Sequence, residues 1–81
     1  MKLEFSKNAL KNLQKIPFSE HVKIQKKLDD LMTDPFLGKK LQGEFENLRS
    51  LKAWPYRILY TIEDNIILIY KISHRQGVYK S

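Results

Sequence analysis

The residues best suited to chemistry in this 81-residue chain fall in its C-terminal part: Arg49, Lys52, Arg57, His74, Arg75 and Tyr79. Side chains alternate across a strand, so a strand over residues 56–63 shows Arg57, Leu59, Thr61 and Glu63 on one face and Tyr56, Ile58, Tyr60 and Ile62 on the other. A turn at Asp64-Asn65 then sets Arg57 opposite Ile72, beside Ser73-His74-Arg75. Arg49 and Lys52 arrive from a neighbouring strand through the short Ala53-Trp54-Pro55 turn. The pattern predicts a cationic cluster at one end of a sheet, with Tyr79 nearby. Clustered cations with no carboxylate among them repel one another unless they share an anion. Phosphate suits them, because guanidinium groups meet it through paired hydrogen bonds. His74 adds a group able to exchange a proton and Tyr79 a hydroxyl. Those parts suffice for metal-free RNA cleavage: a base for the ribose 2′-OH, cations for the crowded phosphorane and an acid for the leaving 5′-oxygen. DNA has no 2′-OH and could not be cut this way.

Taken singly, each residue has an ordinary alternative. A strand arginine such as Arg57 commonly faces solvent, a histidine after a strand commonly caps a loop, and a tyrosine near a chain end commonly packs. Trp54 could stack on a base or cover the rim of a thin core. His21 is expected to face solvent on its helix.

Composition narrows the field. Fifteen Lys and Arg against nine Asp and Glu give a formal net charge of +6, which favours an anionic partner, nucleic acid or an acidic protein surface. With no cysteine there is no disulfide, thiolate nucleophile or thiolate-bound metal. His21 and His74 lack the spacing of a metal site, and no cofactor is expected. The N-terminus has no signal-like apolar run, and the apolar stretch at residues 66–70 is far below the roughly 20 residues that span a bilayer. The expectation is a cytoplasmic protein without a membrane partner.

The elements that must position the cluster follow from periodicity. Leu3 and Phe5 alternate with Lys2 and Glu4, which predicts a short first strand. Ser6 is a candidate N-cap for a helix over residues 6–16, whose buried stripe would be Ala9, Leu10, Leu13 and Ile16 and which Pro17 ends. A second helix opens at Ser19-Glu20, buries Val22, Ile24, Leu28, Leu31 and Met32, and stops at Asp34-Pro35. Residues 36–47 read as a connector with turn points at Gly38 and Gly43. Three strands follow, over residues 48–52, 56–63 and 66–72, the last two joined by Asp64-Asn65. The whole is one α+β domain over residues 1–81, of order β-α-α-β-β-β. A helical hairpin packs on a small, mainly antiparallel sheet that also takes in the first strand.

Several short runs together resemble the RelE/ParE superfamily of prokaryotic type II toxins: Leu41-Gln42-Gly43, Leu48-Arg49-Ser50-Leu51-Lys52, Tyr56-Arg57-Ile58-Leu59-Tyr60, and Ile72-Ser73-His74-Arg75 followed by Val78-Tyr79. Their order and spacing, with the helical hairpin, extend the resemblance over essentially the whole chain. Its RelE branch implies a toxin neutralised by a cognate antitoxin and acting as a metal-free, ribosome-dependent endoribonuclease on mRNA, with contacts to rRNA. Carried over, the resemblance implies that Arg57 and Arg75 neutralise the scissile phosphate and that Arg49 and Lys52 line the same basic surface. It further implies that Tyr79 orients or stacks on the substrate and that His74 is the candidate general acid or base. A ParE-like DNA gyrase inhibitor that only binds, or a non-catalytic antitoxin-binding homologue, are the alternatives. Pro55 departs from the small or acidic turn residue usual before the Tyr-Arg pair. On the Arg57 face, Leu59, Leu68, Tyr70 and Ile72 would form an apolar patch for an acidic, amphipathic antitoxin segment.

Overall fold

Ser6 sits in extended conformation and its hydroxyl accepts the Ala9 N–H at 3.0 Å, which starts α1 (Lys7–Lys15). The structure, a computed structural model, describes residues 1–41, 43 and 47–74. Ala9 and Ile16 are buried and Leu13 packs against them, whereas Leu10, expected in the same stripe, is half exposed. After Pro17 comes a 3-10 turn, Phe18–Glu20, so α2 (His21–Thr33) begins slightly later than its sequence suggests. Ile24, Leu28 and Leu31 are its buried residues; Val22 and Met32 point outward. His21 does not simply face solvent. Its Nε2 lies 3.0 Å from the Leu13 carbonyl and 3.1 Å from that of Ile16 and, as donor, is shared between these two carbonyls at the end of α1, the Leu13 oxygen also accepting the Ile16 N–H. Among the described residues no helix is long and apolar enough to cross a membrane.

The strands are β1 (Lys2–Phe5), β2 (Lys39–Lys40), β3 (Arg49–Ala53), β4 (Tyr56–Glu63) and β5 (Ile66–His74). They form one sheet in the order β1-β5-β4-β3-β2, with β1 parallel to β5 and every other pairing antiparallel. The α+β class and the helical hairpin over a mainly antiparallel sheet are as expected, with α1 against β5 and β1, and α2 against β3. The addition is β2, a two-residue strand inside what reads as a connector. At the β4–β5 turn, Asp64 and Asn65 have φ of 47° and 68°, the left-handed pair that a two-residue hairpin requires.

One irregularity governs the far end of that hairpin. Glu63 to Tyr60 pair in step with Ile66 to Ile69, but Leu59 pairs with Lys71, which leaves Tyr70 as an extra residue in β5. Arg57 consequently lies opposite Ser73, not Ile72, and Ile72 turns into the core at 2% exposure, not onto the Arg57 face. The N-terminal segment holds this bulge. The Ser6 hydroxyl donates to the Tyr70 carbonyl at 2.6 Å, and the Ile72 N–H donates to Asn12 Oδ1 at 3.0 Å. Asn12→Ala leaves that strand amide without its partner and is expected to cost about 1–3 kcal/mol, read as a lower midpoint in urea unfolding. A midpoint unchanged from the parent would mean that the amide finds a replacement partner.

Tyr60 anchors the other side of the sheet. It is fully buried, its hydroxyl donates to the Pro35 carbonyl at 2.8 Å, and it accepts the Gly38 N–H at 2.8 Å. Burial raises its pKa above the ordinary tyrosine value. Gly38 is therefore more than a turn point: a Cβ there would lie 2.5 Å from the phenol oxygen.

Candidate nucleic-acid interface

The helices cover one face of the sheet and leave the other open. Cross-strand partners share a face, so the strand register assigns each residue to one side. Leu51 with Ile58 and Ala53 with Tyr56 are buried beneath the helices. Lys52 and Arg57 face each other directly on the open side, and Arg57 in turn faces Ser73. Like charges directly opposite are unfavourable, and no carboxylate among the described residues pairs with either one. An anion bridging the two would relieve that repulsion.

The remaining candidates separate. Arg49 lies opposite Tyr60, on the helix-covered side, because alternation along β3 sets it against Lys52. Its guanidinium donates to the Gly38 carbonyl at 2.9 Å and sits 5.0 Å from the centroid of the Phe36 ring. The structure thus removes Arg49 from the expected cluster and shows it tying residues 36–38 to the sheet. His74 is at the same end of the sheet as Arg57 but opposite Tyr56, with the two rings edge-on at 5.4 Å. Its side chain therefore belongs to the helix side, where it lines an open cavity of about 350 Å³ with Asn12, Lys15, Ile16, Tyr56, Ile72 and Ser73. Ser73 borders both this cavity and the Lys52–Arg57 face. Arg75 and Tyr79 lie outside the described residues. Trp54 is 62% exposed at the β3–β4 turn and does not seal the core.

One residue escaped the sequence reading. Lys71 lies opposite Leu59 on the open face, exposed, and reaches that face only because of the bulge. The available signal was a break in phase: alternation continued from Ile67 and Ile69 would have buried a lysine. Among the described residues no group of three His, Cys, Asp or Glu could hold a metal ion.

A family model described as the ParE toxin of the type II toxin–antitoxin system parDE matches residues 3–79. A Methanocaldococcus jannaschii protein that carries the name toxin RelE1 is 35% identical over 98% of this chain and 94% of its own length. The toxin–antitoxin complex RelBE2 from Mycobacterium tuberculosis contains a chain that superposes with a TM-score of 0.82 at 28% identity, covering 91% of this chain and 96% of that one. The isolated RelE toxin of E. coli has the same fold, with a TM-score of 0.77 at 23% identity over 90% of this chain and 82% of that one.

Proposed function

Because the chain belongs to the RelE/ParE superfamily of type II toxin–antitoxin toxins, we propose that it is a RelE-type endoribonuclease that cleaves mRNA on the ribosome. The observation that carries this reading is the opposed Lys52–Arg57 pair, with no carboxylate partner among the described residues, on a sheet face that the helices leave open. These two cations hold the scissile phosphate and stabilise the charge that builds on it. A base removes the proton of the adjacent ribose 2′-OH, and that oxygen attacks phosphorus. The bond from phosphorus to the 5′-oxygen breaks as an acid protonates the leaving group, giving a 2′,3′-cyclic phosphate and a 5′-hydroxyl.

In this reading His74, reaching around the sheet's rim from the helix side, is the acid or base, Arg75 is a second phosphate ligand and Tyr79 orients the substrate. His74→Gln is expected to slow cleavage by about 10²-fold or more, with the pH dependence of single-turnover cleavage altered. An unchanged pH–rate profile would assign proton transfer elsewhere. We further propose that a cognate antitoxin neutralises the chain, as the Mycobacterium tuberculosis relative is found in a toxin–antitoxin complex. The half-buried Leu59, in the row of Lys39 and Lys71, suits the apolar side of an acidic amphipathic segment, and Leu68 continues that apolar surface one row further on.

The deciding experiment is primer extension on mRNA isolated after induction of the chain. Discrete cuts within translated codons support the endoribonuclease. Intact mRNA together with a DNA-damage response would support a gyrase inhibitor, the reading favoured by the ParE name of the family model. Intact mRNA with unaffected growth would leave a chain that only binds its antitoxin.

A further inference from the structure

The cross-strand pairings divide the open face into rows. Lys52, Arg57 and Ser73 form one row; Lys39, Ser50, Leu59 and Lys71 form the next. In the row after that the character reverses. Thr61, Leu68 and Glu4 make one row and Glu63, Ile66 and Lys2 the last, with Asp64 at the adjoining turn. Glu4, Glu63 and Asp64 border one shallow cavity at that end. One half of the face thus holds four cations and, among the described residues, no acid. The other half is bounded by carboxylates.

We propose that Lys39 and Lys71 are phosphate contacts that extend the Lys52–Arg57 pair into a track for single-stranded RNA running across the strands. The proposal rests on the reading of this face as the RNA site. Strand spacing places Lys39 on β2 and Lys71 on β5 about 14 Å apart, wide enough for phosphates on both sides of the one that Arg57 holds. The acids of the hairpin end repel a polyanion, so the strand crosses the sheet and does not follow β4 and β5 towards their turn. Two structural devices create the track. The bulge at Tyr70, held by Ser6 and Asn12, turns Lys71 outward. The Tyr60–Gly38–Arg49 hydrogen bonds fix residue 38 next to β2, where Lys39 pairs with Ser50 on the open side. Neither lysine is needed for folding, since both are exposed and make no ion pair with a described residue.

The test is the salt dependence of binding of a 2′-O-methyl oligoribonucleotide, which cannot be cleaved by 2′-OH attack, to the full chain. Each phosphate contact on a single strand contributes about 0.7 to the slope of log K against log salt. Lys39→Gln and Lys71→Gln are each expected to lower that slope by about 0.7 and to weaken binding about fivefold at 0.1 M salt. Lys26→Gln, on the exposed side of α2, is the control for net charge and should leave the slope unchanged. If Lys39→Gln and Lys71→Gln match that control while Arg57→Gln lowers the slope, the track is wrong and the Arg57 site stands. If Arg57→Gln also has no effect, the face does not bind RNA and both readings fall. Loss of antitoxin affinity in the two lysine variants, with RNA binding intact, would assign these lysines to the protein partner and overturn the track.

Discussion

Arg57→Gln is expected to slow single-turnover cleavage of ribosome-bound mRNA by about 10²–10³-fold while leaving thermal stability nearly unchanged. The first half follows from position. Arg57 lies directly between Lys52 and Ser73 on the open face, so in the proposed mechanism it meets the same phosphate as Lys52. Removing one preorganised group aimed at a developing negative charge generally costs about 2.7–4 kcal/mol of transition-state stabilisation. The second half follows from what Arg57 does not do: it has no ion pair or hydrogen bond with a described residue, so glutamine leaves nothing unsatisfied behind it. Removing a cation opposite Lys52 even relieves some repulsion. Cleavage at the parent rate by a folded Arg57→Gln chain would show that the phosphate binds elsewhere.

Gly38→Ala is expected to have the largest effect on stability, about 3 kcal/mol, or roughly 12–24 °C in Tm for a domain of this size. The added methyl would lie 2.5 Å from the Tyr60 hydroxyl oxygen and 2.6 Å from its Cε1. Tyr60 cannot swing aside, being fully buried with its hydroxyl bonded to both Pro35 and Gly38. The same hydroxyl gives the fold an alkaline limit. Burial, the largest influence on it, raises the Tyr60 pKa above the usual value. Below the pH at which an unfolded tyrosine ionises, near 10, this group adds no pH dependence. Above it the unfolded chain releases the proton more readily than the folded one, so stability falls as pH rises through the window between the two values. Tyr60→Phe should be less stable at neutral pH, having lost two hydrogen bonds, yet should lose less stability on going to high pH than the parent does. Parallel pH–stability curves for the two chains would refute this account.

Much of the fold is legible because local chemistry and tertiary structure agree. The strand at Tyr56–Glu63 has the ends its aromatic and β-branched residues suggest, and Asp64-Asn65 adopts the positive φ values its residue types tolerate. The bulge is not legible because its determinants are distant: Ser6 and Asn12 hold residues 64 and 60 positions away in the chain. That one extra residue shifts the partner of Arg57 from Ile72 to Ser73, buries Ile72 and exposes Lys71. Arg49 fails differently. Charge suggested grouping it with Lys52, but adjacent phases of one strand point to opposite faces, and a backbone carbonyl with an aromatic ring satisfies its guanidinium there. The stripe residues Leu10, Val22 and Met32 are exposed because each helix presents only a narrow strip to a thin sheet.

The parallel pairing of β1 with β5 joins the first residues of the chain to its last described strand. During synthesis Lys2–Phe5 is made before residues 66–69, the strand edge that it joins. Bringing such remote segments together carries a loop-closure cost of roughly 3–4 kcal/mol, repaid only when strand and bulge contacts form together. The N-terminal segment therefore acts as a closing clasp. Until that segment has docked, the Ser6 and Asn12 hydrogen bonds that hold the bulge, and with it the outward turn of Lys71, are not in place.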